Sequence, residues 1–141
     1  MKYLVVIFLV AQSLFASEDW GQNGHRTVGE TAEHYLKSRA SKKIDRILNG
    51  QSLADASTYA DEIKSDRAYD EYKPWHYANI PFNETYAEAE KNPKGDIVFG
   101  IEECIRQLKS KSLSKKHEQF YLKMLIHLVG DMHQPLHFGL K

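Results

Sequence analysis

Hydrophobic positions recur along this chain at helical spacing, and the alternation that marks strands is nearly absent. From His25 to Leu36, one helix face would carry Val28, Ala32, Tyr35 and Leu36. Ser41 is placed to cap a short helix, KKIDRILN, that stops at Asn49-Gly50. Leu53 to Lys64 predicts one continuous helix with Ala56, Tyr59, Ala60 and Ile63 as its buried stripe. Pro74 and Pro81 bracket WHYANI, an irregular or extended connection, and KNPKGD is a further turn. A helix from Asp96 to about Lys109 follows, with Ile97, Ile101, Cys104, Ile105 and Leu108 facing the core. Ser114 starts the last helix, where Phe120, Met124, His127 and Asp131 share a face. The pattern predicts an all-α fold, helices packed around a shared interior, without repeats or low-complexity segments.

Residues 1–19 stand apart from that pattern and read as an export signal. Lys2 supplies a positive start, the apolar run Leu4 to Phe15 is interrupted only by Gln12 and Ser13, and Ala16 and Ser17 suit a signal peptidase. The run is too short to anchor a chain in a bilayer. The alternative, an N-terminal core helix, lacks an amphipathic period. The expectation is a secreted or periplasmic chain, cleaved between residues 16 and 19, with no membrane association afterwards and one domain over 20–141. Lys plus Arg equals Asp plus Glu at 19 each, so no global basic field argues for nucleic acid, although local clusters can still steer a ligand. A lone Cys104 forms no internal disulfide, which leaves core packing, metal or segments outside this sequence to hold an exported domain.

Candidate chemistry concentrates in HLVGDMHQPLH. His127 and Asp131, four apart on a helix, project from one face and can reach one cation, with donor atoms about 2 Å from a zinc ion. Pro135 halts the helix, and His137 beyond the break can point elsewhere. The alternative is a histidine balancing the helix dipole plus a solvated loop histidine. Three other stretches add ligand types: WGQNGH with Trp20 and His25, YADEIK with Asp61, and PWHYAN with His76. Each is bland alone; together they offer more zinc-type ligands than one chance cluster would. His34, His117 and His133 read as surface residues and Cys104 as core. Asn83-Glu84-Thr85 is a glycosylation sequon, meaningful only in a eukaryotic source.

From WGQNGHRTVGETAEHYL to HLVGDMHQPLHFG, the order and spacing of these motifs resemble the S1/P1 nuclease family, exported helical enzymes that hold three zinc ions. The resemblance covers the chain after the leader and about the first half of the family's usual length. It implies a compact helical domain of the phospholipase C and zinc nuclease type, incomplete here. It implies that Asp61, His76, His127 and Asp131 bind one zinc, and that Asp131 bridges to a second zinc completed by His25 and the main chain of Trp20. His137 would be the first ligand of a third zinc, whose remaining His and Asp would lie beyond Lys141. Tyr77 would stack on a base, Asn79 would hydrogen-bond it, and Lys64 would stand near the phosphate where the family often has Arg. Asp131 and Lys64 are thus the expected catalytic residues. The implied activity is endonucleolytic hydrolysis of single-stranded DNA and RNA to 5'-phosphate products, with 3'-nucleotidase activity and no stable protein partner. Two departures stand out: the leader's small residues predict a cut ahead of Trp20 and not directly before it, and the third zinc lacks ligands. A zinc-dependent phospholipase C and an inactive zinc-binding fragment remain the alternatives.

Overall fold

Three of the helices start where a short polar side chain takes up a free backbone N–H, and the described residues are mostly helical as expected. The computed structural model describes residues 21–140; the apolar leader, its cleavage region and Trp20 lie outside the described residues. Among the described residues, six α-helices are formed: α1 (Gly21–His34), α2 (Ser38–Leu48), α3 (Leu53–Ala56), α4 (Tyr59–Ile63), α5 (Ile97–Lys109) and α6 (Lys115–Met132). Ser52 Oγ accepts from Asp55 N at the start of α3, Asp96 from Val98 N and Phe99 N at α5, and Ser114 from His117 N at α6. Asn49, at φ 56°, and Gly50, at φ 81°, turn the chain out of α2 through the left-handed region, the stop read from the sequence. α2 begins at Ser38, earlier than the Ser41 cap predicted, without a side-chain cap.

The core consists of two apolar clusters on opposite flanks of α6. Ala60, Trp75, Cys104, Met124 and Leu128 form one, against which Phe120, Tyr72 and Ile101 pack. Leu48, Leu53, Ala56 and Leu122 form the other, reached by Leu36, Ile44 and Ile126. α6 therefore contributes to both, and the face bearing His127 and Asp131 is closed to water. Burial, with the charge of Glu103 nearby, pushes the Cys104 thiol up to about 12, consistent with a core residue and not a ligand. Among the described residues, no helix is long and apolar enough to cross a membrane.

Two local expectations differ from the structure. The face drawn over His25–Leu36 is cut short because α1 ends at His34, leaving Tyr35 in the turn and 84% exposed. α1 instead buries His25 and Gly29, and Gly29 meets the backbone of α3 so closely that a Cβ there would lie 2.7 Å from Leu53 O. The predicted helix over Leu53–Lys64 is two helices, broken at Ser57-Thr58. A 3₁₀ segment (Arg67–His76), compatible with Pro74's missing N–H, runs into the proline-bracketed stretch as far as His76, and the stretch then continues as strand β1 (Ala78–Ile80), extended as expected. A second 3₁₀ turn (Pro135–His137) leads into strand β2 (Phe138–Leu140), which pairs in parallel with β1, Ala78 opposite Phe138. That pairing sets the residues after His76 beside those after His137.

Candidate metal centre

The site is built outward from the buried end of α6, where His127 is 0% and Asp131 1% exposed. His127 Nδ1 donates to the Ser57 carbonyl at 2.6 Å. In an unbroken helix that carbonyl would accept from Asp61 N; here Asp61 N bonds Thr58 O at 3.1 Å instead. The Ser57 hydroxyl bonds back to Ala54 O at 2.6 Å, the local device that bends helices at serine. The break between α3 and α4 thus releases one carbonyl, and that carbonyl fixes the His127 tautomer. With Nδ1 donating, the other ring nitrogen of His127, Nε2, lies 3.1 Å from Asp131 Oδ2, 3.2 Å from His76 Nδ1 and 3.9 Å from Asp61 Oδ1.

Other elements bring the remaining side chains to the same carboxylate. α1 carries His25, whose Nε2 lies 3.1 Å from Asp131 Oδ1 and whose ring stacks on His127 with centroids 4.0 Å apart. The 3₁₀ segment delivers His76, with Nδ1 2.9 Å from Asp131 Oδ2. His137, ending the second 3₁₀ turn, has Nε2 3.7 Å from Asp131 Oδ1, so in this structure it joins the same cluster. Asp61 approaches from the exposed edge of α4 and pairs with Lys64 Nζ at 3.3 Å. Two donor sets result, His25–His127–Asp131 and Asp61–His76–His127, each with its ligand atoms within 4.8 Å of one another.

Gly130 makes the approach of His25 possible. A Cβ at position 130 would sit 2.5 Å from His25 Nδ1. Helix propensity alone favours Ala over Gly by about 1 kcal/mol, but this overlap is too severe for that gain to win. Gly130→Ala is expected to displace the His25 ring and weaken metal binding roughly 10- to 100-fold in a metal titration. Unchanged affinity would contradict the geometry.

The electrostatics favour a cation. Burial pushes the Asp131 carboxyl up, but the imidazoles of His127, His25 and His76 outweigh it and hold Asp131 well below the usual carboxylate range, as an anion. Burial keeps His137 below the ordinary imidazole range despite the opposing pull of Asp131, which favours its neutral, ligating form. His25 Nδ1, His137 Nδ1 and Asp131 Oδ2 are buried without a hydrogen-bond partner; Oδ2 faces two ring nitrogens yet is hydrogen-bonded by neither. Such atoms are costly unless something satisfies them, and nitrogen and carboxylate donors at this spacing fit a divalent cation.

Beside the cluster opens a cleft of about 750 Å³, lined by Asp61, Lys64, Ser65, Lys73, His76, Tyr77 and His137. Tyr77 is 41% exposed and also borders a second cleft, about 390 Å³, with Asn79, Lys91 and Asn92. His34, His117 and His133 lie on the surface. Sequence reasoning missed the Ser57 carbonyl and Lys73. A Ser-Thr pair inside a helical stripe was the available signal for the first, and Lys73's position three residues before His76 for the second.

Comparison with known proteins gives a consistent result. The family model described as S1/P1 Nuclease matches residues 20–141. Nuclease P1 of Penicillium citrinum is 31% identical over 126 residues, covering 84% of this chain and 47% of that protein. Nuclease S1 of Aspergillus oryzae is 29% identical, covering 84% and 44%, and Endonuclease 5 of Arabidopsis thaliana 28%, covering 97% and 52%. The chain spans about half the length of the curated relatives it matches.

Proposed function

The chain belongs to the S1/P1 nuclease family, and on that premise we propose that it is the metal-binding portion of a secreted or periplasmic zinc-dependent nuclease. Its reaction is hydrolysis of phosphodiester bonds in single-stranded DNA and RNA to 5'-phosphate products, with removal of phosphate from 3'-nucleotides. The observation that carries the reading is the convergence of four imidazoles on one buried carboxylate, Asp131. Imidazole nitrogen with carboxylate oxygen is the donor set zinc prefers, which favours it over magnesium or calcium.

In this reading Asp61, His76, His127 and Asp131 would hold one zinc, and Asp131, His25 and the main chain of Trp20 would hold a second. His137 contributes toward a third. When bound, the ions supply Lewis-acid chemistry, polarising the phosphoryl group and acidifying water near neutral pH. The Ser57 carbonyl keeps His127 in the ligating tautomer. Lys64, on the cleft wall beside Asp61, offers its ammonium to a phosphate oxygen. Tyr77 presents an exposed ring on which an unpaired base can stack, and Asn79, exposed two residues on, can hydrogen-bond that base. A paired base has no free face to offer, so single strands are preferred.

The test is turnover by the zinc-loaded protein of a single-stranded oligonucleotide, a duplex of the same sequence, a 3'-mononucleotide and a phosphocholine lipid. Cleavage of the single strand with 5'-phosphate ends, abolished by chelator, is expected. Preference for the lipid, or bound zinc without turnover of any of the four, would refute the reading.

A further inference from the structure

We infer that Lys73 is a second phosphate-binding cation of this cleft, contacting the backbone of a bound polynucleotide. The inference rests on the nuclease reading above and adds to it a residue that the metal cluster does not use. Residues 67–76 are 3₁₀, and in such a helix side chains three apart eclipse one another. Asp70, Lys73 and His76 therefore form one row along the segment. Its first step is visible as the ion pair of Lys73 Nζ with Asp70 Oδ1 at 2.5 Å. Its last member faces Asp131.

This row sets an ammonium one turn from a metal-facing histidine, and Lys73 lines the same cleft as Asp61, Lys64, Tyr77 and His137. Lys64 and Lys73 also border a small pocket together with His76, so the two cations share one wall. Lys64 is paired with Asp61 beside the metal cluster, which suits it to the scissile phosphate. Lys73, paired only with an exposed carboxylate, is in place for a neighbouring phosphate. Its ion pair, about half exposed on both sides, is of the weak, solvent-screened surface kind. A phosphodiester oxygen can displace Asp70 at little cost.

Binding of a phosphorothioate single-stranded oligonucleotide to the zinc-loaded protein, measured across a salt series, tests this. Each lysine–phosphate contact on a single strand contributes about 0.7 to the slope of log affinity against log salt. Lys73→Ala is expected to lower affinity and to reduce the slope by about that amount, while Lys73→Arg keeps it. Asp70→Asn, which frees the ammonium, is expected to tighten binding. Unchanged slopes in Lys73→Ala, with wild-type binding intact, would overturn the role of Lys73 and leave the nuclease reading standing. Absence of binding by the wild-type protein would overturn both.

Discussion

Asp131→Ala is expected to cut kcat/KM on a single-stranded oligonucleotide by well over a hundredfold and to lower the zinc content of the protein. Its two oxygens divide the cluster: Oδ1 faces His25 at 3.1 Å and His137 at 3.7 Å, Oδ2 faces His76 at 2.9 Å and His127 at 3.1 Å. Loss of a group that merely supports a ligand typically costs about 10- to 100-fold in metal affinity or activity, so loss of the carboxylate shared by the whole cluster should exceed that range. Alanine also leaves four imidazoles around a hole. Asp131→Asn separates the two effects, because it keeps the volume, removes the negative charge and turns an amide donor toward the histidines. Both variants should be inactive, with Asp131→Asn melting closer to wild type. Activity within tenfold of wild type in either would sink the proposed role of Asp131.

Chelation is expected to lower the melting temperature on the order of 15 °C, reversed by added zinc. The candidate ligand atoms of His76, His127 and Asp131 lie 2.9 to 3.2 Å from one another, and Asp61 Oδ1 lies 3.9 Å from His127 Nε2. Binding at a thousandfold excess over Kd is worth about 4 kcal/mol to the folded state, and about 4 °C accompanies each kcal/mol in a domain near this size. Acid should act in the same direction on the chelated protein. Asp131 and His137 both have folded pKa values below their ordinary ones. The stability each adds is full above its ordinary pKa and is lost as pH falls, beginning near 6.5 for His137 and in the carboxylate range for Asp131. Thermal melts with and without chelator across pH 4 to about 8 would check both effects; a melting temperature indifferent to chelator would count against a metal-bearing site.

Much of the helical scaffold was legible because the information is local. Asp96 and Ser114 announce the starts of α5 and α6, and Asn49-Gly50 the end of α2, through caps and turn chemistry confined to a few residues. Periodicity misled where a distant partner changed the outcome. The stripe Ala56–Tyr59–Ala60–Ile63 is helical in spacing, yet the chain breaks at Ser57-Thr58, where one carbonyl bonds a histidine 70 residues later. Ala32 and Tyr35 fit a buried face, but α1 turns its His25–Gly29 side inward because Gly29 allows the closest contact with α3. Strands of three residues are too short to display alternation, so β1 and β2 left no pattern to read.

By itself, the sequence determined that this chain is helical, that His127 and Asp131 share a helix face, and which further residue types stand ready as ligands. Those follow from a 3.6-residue repeat and from side-chain chemistry, which any short stretch carries within itself. Only the tertiary structure decided that His25, His76 and His137, up to 112 residues apart along the chain, meet at Asp131, and that Asp61 comes within 3.9 Å of His127 Nε2. It decided, too, that Ser57 sets the tautomer of His127 and that Lys73 joins Lys64 on the cleft wall. Those relations depend on how α1, the 3₁₀ segment and the β1–β2 pair dock on α6, and docking is a property of packed surfaces that no local spacing contains.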